Sequence, residues 1–513
     1  QGVSSAASDV YKRQQHYFGA PAVSADYFGH FCRAVAVALG EEGEGNGPFV
    51  CCLSQGTSGD LMWMDYGSPK RTVAIHDYAA AVARNAVALI GRIEHRGDVS
   101  LAMTERVLPL AYRVPDEARL AWARPIAAAI QNDLPRSIPE VYAREATILH
   151  ERQRTTLKLQ AIRIGDLSIA TLPNEVYALT GLKLRSRSPA GMHFNVSCAN
   201  GAEGYIPPPE QHVLGGYTTW PARTAGLEVE AEPRIVETLV GALEGGTGRP
   251  RRTAEDQHGP AARAVLDAKP SGCWRFEDED GAAPRNAVAG GAAARLTPGF
   301  AWHLPGVGAG SGIGAGESLV AGEFAAAGRI NRAVHLAGGE LVLPMTRARS
   351  DATLVAWIWL GERSGASVRE GTVCTGLVAA PLVARQDAAH GLRFAMGDAQ
   401  TDMRWRADDW HQVAVVRGGD SVRVFIDGEP QPALTASAAK TAGTTTAEAD
   451  GGGPLRLGTG LQGKIDEVAV FDRPLSAAEI ATLWQVSGVT EQRAAEETRR
   501  QREADEQVRQ ASP

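Results

Sequence analysis

Leu157-Lys158-Leu159-Gln160-Ala161-Ile162-Arg163-Ile164-Gly165-Asp166-Leu167-Ser168-Ile169-Ala170-Thr171-Leu172-Pro173-Asn174-Glu175 decides how the first half of this 513-residue chain folds. Leu157, Leu159 and Ala161 alternate with Lys158 and Gln160, the period of a half-buried strand. The alternation then slips by one, to Ile162 and Ile164 around Arg163, which suggests a bulge near the strand's end. Gly165-Asp166 turns the chain, and Leu167 to Thr171 forms the return strand of a hairpin. Pro173 cannot continue a central strand and is at home near a helix start, so a helix is expected from Val176 to Arg187. Glu175 then lies at a strand-to-helix junction, close to free N–H groups that favour negative charge. A carboxylate held there is either a helix cap or a metal ligand, and local chemistry alone leans towards the cap.

Downstream, Phe194 to Cys198 reads as another strand leading into Asn200-Gly201-Ala202-Glu203-Gly204-Tyr205, then Glu210 and Gly215-Gly216-Tyr217. Together with Pro173-Asn174-Glu175, Gly181 and Arg185, these motifs resemble the neutral (non-lysosomal) ceramidase family, zinc-dependent amidases that cleave the N-acyl bond of ceramide. The resemblance covers roughly Gln15 to Leu243. It implies that Glu175 and Tyr205 are Zn2+ ligands and that His16, just before the helix start Ser24-Ala25-Asp26, is a third. The family's other zinc histidine lies in an earlier segment that is absent here, and zinc normally takes about four donors.

The strand expected at Pro48-Phe49-Val50-Cys51-Cys52-Leu53 delivers Ser54-Gln55-Gly56-Thr57-Ser58-Gly59-Asp60-Leu61-Met62. In the family the equivalent strand ends in Gly-Asp-x-Ser-Pro-Asn, whose Ser is the nucleophile. Gly59-Asp60 match, but Met62 stands at the Ser position, and a thioether cannot attack an amide carbonyl. Two substitutes remain: Ser58 shifted into reach, or a bound water with Asp60 as general base or orienting group. The plainer reading of Ser58 is a hydroxyl bonded within its own turn. Gly97-Asp98-Val99-Ser100 repeats part of the motif, but it reads as a turn into a strand.

Elsewhere in this half, helices are expected at 26–39 and 75–93, after Asp116 and from Ser137 to His150, and at 230–243. Their alternation with strands gives an α/β domain over 15–244. Asp9-Val10-Tyr11-Lys12-Arg13-Gln14 reads as a translated sequencing adaptor, so 1–14 is set aside and the natural chain is expected to begin further upstream. From 245 to 268 periodicity is lost, as in a linker.

From Lys269 to Val486 the chain changes class. Trp357-Ile358-Trp359, Trp410-His411-Gln412-Val413-Ala414-Val415, Ile426-Asp427-Gly428 and Ile465-Asp466-Glu467-Val468-Ala469-Val470-Phe471 are short alternating runs at sandwich spacing, and Ser476 with Glu479 begins a helix. This region looks like a laminin-G-like (concanavalin A-like) jelly roll, a fold whose members bind carbohydrates, proteins or calcium. Asp466 and Glu467 are either Ca2+ ligands at the rim or an acidic pair fixing a strand end, the second being the simpler account. The segment 487–513 reads as a charged helical or disordered tail.

The fold class expected is therefore multidomain: a partial ceramidase-like α/β domain of catalytic type, then an all-β concanavalin A-like jelly roll. Net charge is −7, with no basic footprint for nucleic acid, no apolar run long enough to span a membrane and six scattered cysteines. Two functions stay open. One is a zinc-dependent hydrolase of an N-acyl lipid or small amide, with the jelly roll contacting a glycan or cell-surface partner. The other is a catalytically inactive secreted glycan- or protein-binding protein. The resemblance implies a secreted or cell-envelope location.

Overall fold

The computed structural model describes residues 24–41, 49–61, 73–131, 134–279, 283–308, 323–326, 331–344, 351–361, 369–377, 380–387, 391–403, 405–437, 454–494, 497–498 and 501. They divide near 253/254 into two compact units.

The first unit is built on a sheet whose strands β1 (Leu101–Ala111), β2 (Arg154–Ile164) and β3 (Leu167–Thr171) are antiparallel neighbours. A short ribbon strand, β4 (Glu175–Val176), follows β3, and β5 (Met192–Val196) joins the sheet parallel to β3. β6 (Tyr205–Ile206) pairs in parallel with β4. The helices are α1 (Asp26–Leu39), α2 (Ile75–Ile90), α3 (Glu117–Ala128), α4 (Ile138–Arg152), α5 (Ala178–Arg187), α6 (Pro209–Leu214) and α7 (Ala231–Thr247). Two of these helices, α3 and α4, start where capping chemistry puts them. Asp116 accepts from the N–H of Arg119 at 2.7 Å, and Ser137 accepts from the N–H of Glu140 at 3.4 Å.

The slip at Ile162 is not a bulge. β1 pairs with β2, and β2 with β3, in unbroken register. Alternation continues, so Leu157, Leu159 and Ala161 face α7, where Ile235, Val236, Leu239 and Val240 complete the core. Ile162 and Ile164 leave the opposite face, where two cross-strand rows are apolar throughout: Met103, Ile162, Ile169 and Phe194, then Leu101, Ile164, Leu167 and Met192. The sheet therefore carries apolar residues on this second face as well as on the face against α7.

Two further expectations change. Phe49 to Leu53 pairs with no strand among the described residues, and Val50 is 74% exposed. Instead Cys51 and Leu53 pack on the α1–α2 hairpin, and the Cys32 thiol donates to the Cys51 carbonyl at 3.2 Å. The segment 245–268 is not featureless either: it holds the last turn of α7 and helix α8 (Pro260–Asp267).

The second unit is a two-sheet sandwich. One sheet runs in the order Leu434–Ser437, Ser421–Ile426, His411–Gly418, Asp351–Trp359, Gln462–Phe471, Arg332–Ala337, Phe300–Pro305, with Gly272–Trp274 also paired to Gln462–Phe471. The other runs Ala399–Gln400, Gly391–Met396, Leu382–Gln386, Arg369–Thr375, Arg456–Leu457, Leu341–Val342, Arg295–Leu296. Leu354, Ile358, Val413, Val415, Ile465 and Val468 meet Leu382, Phe394 and Leu457 between them. On its outer side the first sheet is covered by α8 and α9 (Ala477–Gln485), with Trp357, Phe425 and Phe471 against Val265, Ile480 and Leu483. Ser476 and Glu479 form the expected capping box at the start of α9.

The two faces of β2 differ in what a truncation removes. Leu159→Ala should lower unfolding free energy by roughly 2–5 kcal/mol, while Ile162→Ala on the open face should cost about 1 kcal/mol or less. Urea titration of the two variants checks this.

Candidate functional site

The ribbon of β4 and β6 is where the chemistry-bearing residues of the first unit meet. Glu175 and Tyr205 are register partners on its two parallel strands, so their side chains leave the ribbon on the same face. The loop before Asp60 is clamped to it: the N–H groups of Ser58 and Gly59 both donate to the Val176 carbonyl, at 2.9 and 2.8 Å. Gly59 must be glycine here, because a Cβ would lie 2.4 Å from the Glu175 carbonyl oxygen. Gly181 is equally constrained: a Cβ would lie 2.1 Å from the Thr57 hydroxyl, so α5 reaches the loop only without a side chain at that point.

Glu175 does not cap α5. The N-cap position is Tyr177, and Glu175 is engaged in the ribbon two residues earlier. The carboxylate that meets the helix start is Asp60, whose Oδ1 accepts the Ala178 N–H at 2.7 Å. Burial pushes the Asp60 carboxyl above the ordinary aspartate value, and the Ala178 hydrogen bond only partly offsets that. One oxygen of Glu175, Oε2, is buried and has no hydrogen-bond partner among the described residues. Tyr205 packs edge-on against Tyr217, ring centroids 5.5 Å apart, with the two hydroxyls 3.4 Å apart.

Ser58 is 2% exposed, and its hydroxyl donates to the Gly56 carbonyl at 3.2 Å, the fate usual for a turn serine. His16 and Met62 lie outside the described residues. Among the described residues no group of three or more His, Cys, Asp and Glu side chains stands together as a metal site. Glu175, with one unpartnered carboxylate oxygen, and its register partner Tyr205 are of residue types that suit a divalent cation, and two donors would be half of a four-donor set. Sequence reasoning missed His212, on α6. Burial first, and the Arg113 charge second, lower its pKa to about 4, so its imidazole is neutral at pH 7. It also missed the buried Lys183–Glu232 pair at 3.1 Å, which joins α5 to α7. Neither belongs to a motif, and both follow only from how the helices pack.

In the sandwich, Asp466 and Glu467 are engaged by the protein itself. Asp466 Oδ2 accepts from the Val307 N–H at 2.8 Å and from Asn331 Nδ2 at 2.7 Å, and Oδ1 accepts the Glu467 N–H at 2.8 Å. Glu467 pairs with Arg275 at 2.8 Å, both side chains being at most 5% exposed. With their oxygens turned to these donors and a guanidinium alongside, the pair does not fit a calcium site, and it ties strand ends together as the simpler account had it.

Residues 337–481 match the family described as the concanavalin A-like lectin/glucanases superfamily. This stretch is a concanavalin A-like domain. No curated protein matches the chain. Among solved structures, Trypanosoma rangeli sialidase in complex with the inhibitor DANA is similar at 19% identity and a TM-score of 0.28, over 42% of this chain and 32% of that one. Domain 4 of AbnA, an extracellular GH43 arabinanase from Geobacillus stearothermophilus in complex with arabinotriose, is similar at 15% identity and a TM-score of 0.27, over 42% of this chain and 98% of that one. The chain thus spans about a third of the sialidase's length. These likenesses carry no argument about activity. No helix among the described residues is long and apolar enough to cross a membrane.

Two outcomes follow from this geometry. The folded-state pKa of Asp60 is raised, so the ionised carboxylate costs stability above that pKa, and the cost vanishes below about 4, where aspartate is protonated in folded and unfolded chains alike. Asp60→Asn should therefore melt higher than wild type at pH 7, with the gap closing as pH falls below about 4. In the sandwich, Arg275→Met strands Glu467 and should cost roughly 3–5 kcal/mol, whereas Arg275→Met with Glu467→Leu should recover most of it. Calorimetry across pH reads the first, and chemical denaturation the second.

Proposed function

We propose that the first unit is a metal-dependent amide hydrolase of the neutral-ceramidase type, acting on an N-acyl lipid or related amide. In this reading the concanavalin A-like domain is an accessory that binds carbohydrate or a surface partner. The observation that carries the proposal is the ribbon: a buried carboxylate oxygen of Glu175 without a hydrogen-bond partner among the described residues, Tyr205 as its register partner on the facing strand, and Asp60 anchored to the same strand's exit. A zinc ion, held by Glu175, Tyr205 and His16, would supply Lewis-acid polarisation of the scissile carbonyl.

The chain's own groups have separable tasks. Asp60 takes a proton from the attacking water and returns it to the leaving nitrogen as the C–N bond breaks, work that suits a carboxyl raised by burial. Water is favoured over Ser58 as nucleophile, because the Ser58 hydroxyl is buried and committed to Gly56. Tyr205 either holds the ion or supports the negative charge that develops on the carbonyl oxygen.

A second reading, a non-catalytic glycan- or protein-binding protein, is favoured by Met62 at the family's serine position. One set of measurements on the full chain separates them. The hydrolase reading expects about one zinc per chain by elemental analysis, with the metal lost in Glu175→Ala. It also expects turnover of a short-chain, water-soluble N-acyl amide that falls roughly 10²–10⁴-fold in Asp60→Asn. Absent zinc, or zinc undiminished in Glu175→Ala, would overturn it. Glycan binding without any amide turnover would establish the second reading.

A further inference from the structure

Helix α6 is amphipathic the wrong way round for a protein bathed in water. Its polar residues Glu210, Gln211 and His212 are half-buried, with Glu210 Oε1 and His212 Nδ1 buried. Its apolar residues point out: Val213 is 89% exposed and Leu214 is 78% exposed. Gly215 and Gly216 follow at φ 80° and 99°, a backbone path that other residues rarely take. Tyr217 and Trp220 come next, each nearly half exposed. Trp220 packs edge-on against Tyr142 of α4 at 5.7 Å, and Tyr217 packs on Tyr205. Two aliphatic and two amphipathic aromatic side chains thus stand exposed along one short stretch of chain, an apolar lip that Tyr217 joins to the ribbon through Tyr205.

We infer that this lip docks the candidate active site onto a lipid surface, taking up the apolar part of an aggregated amphiphile. The inference rests on reading the ribbon as a hydrolase site only for its purpose. Three observations support a lipid rather than a protein partner. A six-residue helix is about 9 Å long, and it offers far less than the ~800 Å² per partner that a specific protein interface buries. In a lipid interface each side chain partitions individually, so a small tip suffices. Tyr and Trp flanking aliphatics suit the boundary between headgroups and acyl chains, where one end of the ring is apolar and the other wet. Finally, half-buried polar groups with exposed apolar ones are stable when the outside is itself apolar.

The test uses the full chain with vesicles of phosphatidylcholine alone. Wild-type protein should co-sediment with the vesicles. Val213→Ser with Leu214→Ser should weaken that partition by about tenfold or more, since each lost side chain carries at least a factor of ten on transfer. Met103→Ser, on the open face of the sheet, should leave it unchanged. Hydrolysis of the water-soluble short-chain amide should not change in the lip variant, whose two positions lie outside the proposed machinery. No vesicle binding by the wild type, or binding equal in the lip variant, overturns the inference even where soluble turnover persists. Self-association of the wild type that the lip variant abolishes also overturns it, in favour of a second copy. Vesicle binding without soluble turnover would instead sustain the lip and sink the hydrolase reading.

Discussion

A single carbonyl oxygen organises the first unit. That of Val176 receives the N–H groups of both Ser58 and Gly59, in a ribbon whose other edge pairs with Tyr205–Ile206. The shared acceptor fixes where the loop ends, and so where the Asp60 carboxylate can reach. Without it, the Ala178 N–H at the start of α5 would need another partner, because a helix end leaves its first donors unsatisfied. Glu175, Tyr205 and Asp60 come from three separate stretches of sequence, and they share a neighbourhood because of these two hydrogen bonds and the ribbon pairing. Glycine at 59 and 181 is the steric condition for that approach.

The sandwich depends on a different device. Its first sheet is apolar on both faces, with the inter-sheet core on one side and α8 and α9 on the other. Within that interior, Arg275, Glu467, Asp466 and Asn331 are buried and linked to one another and to backbone groups of distant strands. A buried network of this kind adds little net stability over apolar packing, because desolvation of the charges opposes their attraction. What it gives is register: Asp466 can satisfy Val307, Asn331 and Glu467 together in one alignment of the strands.

Local chemistry was readable in the sequence, and long-range chemistry was not. Asp116, Ser137 and the Ser476/Glu479 box could be placed because a cap and its donor lie within a few residues of each other. The strand runs of the sandwich were readable because β-branched and aromatic residues recur at period two between turn signals such as Asp427-Gly428. The role of Asp60 at α5 was not readable, since its partner Ala178 is 118 residues away and Glu175 stands nearer in sequence. Phe49 to Leu53 misled because a continuous apolar run fits a strand and an extended segment lying on helices equally well. Ile162 misled because a slip in alternation can mean an extra residue or a second apolar face, and only the pairing register tells them apart.

Asp60 shows how placement and protonation compete at the site. The N-terminus of α5 and the Ala178 N–H both favour its charged form, which would hold the group as a fixed anion. Burial favours the neutral form and is the larger influence. A carboxylate that was buried but undirected would be protonated and free to rotate. The combination keeps Oδ1 pointed at Ala178 while raising the pH at which the carboxyl gives up its proton. The same loop that supplies Asp60 turns the Ser58 hydroxyl inward, so the geometry that orients the carboxylate also removes the nearest alkoxide source. One residue is presented at the helix start and its neighbour is withheld by the same turn.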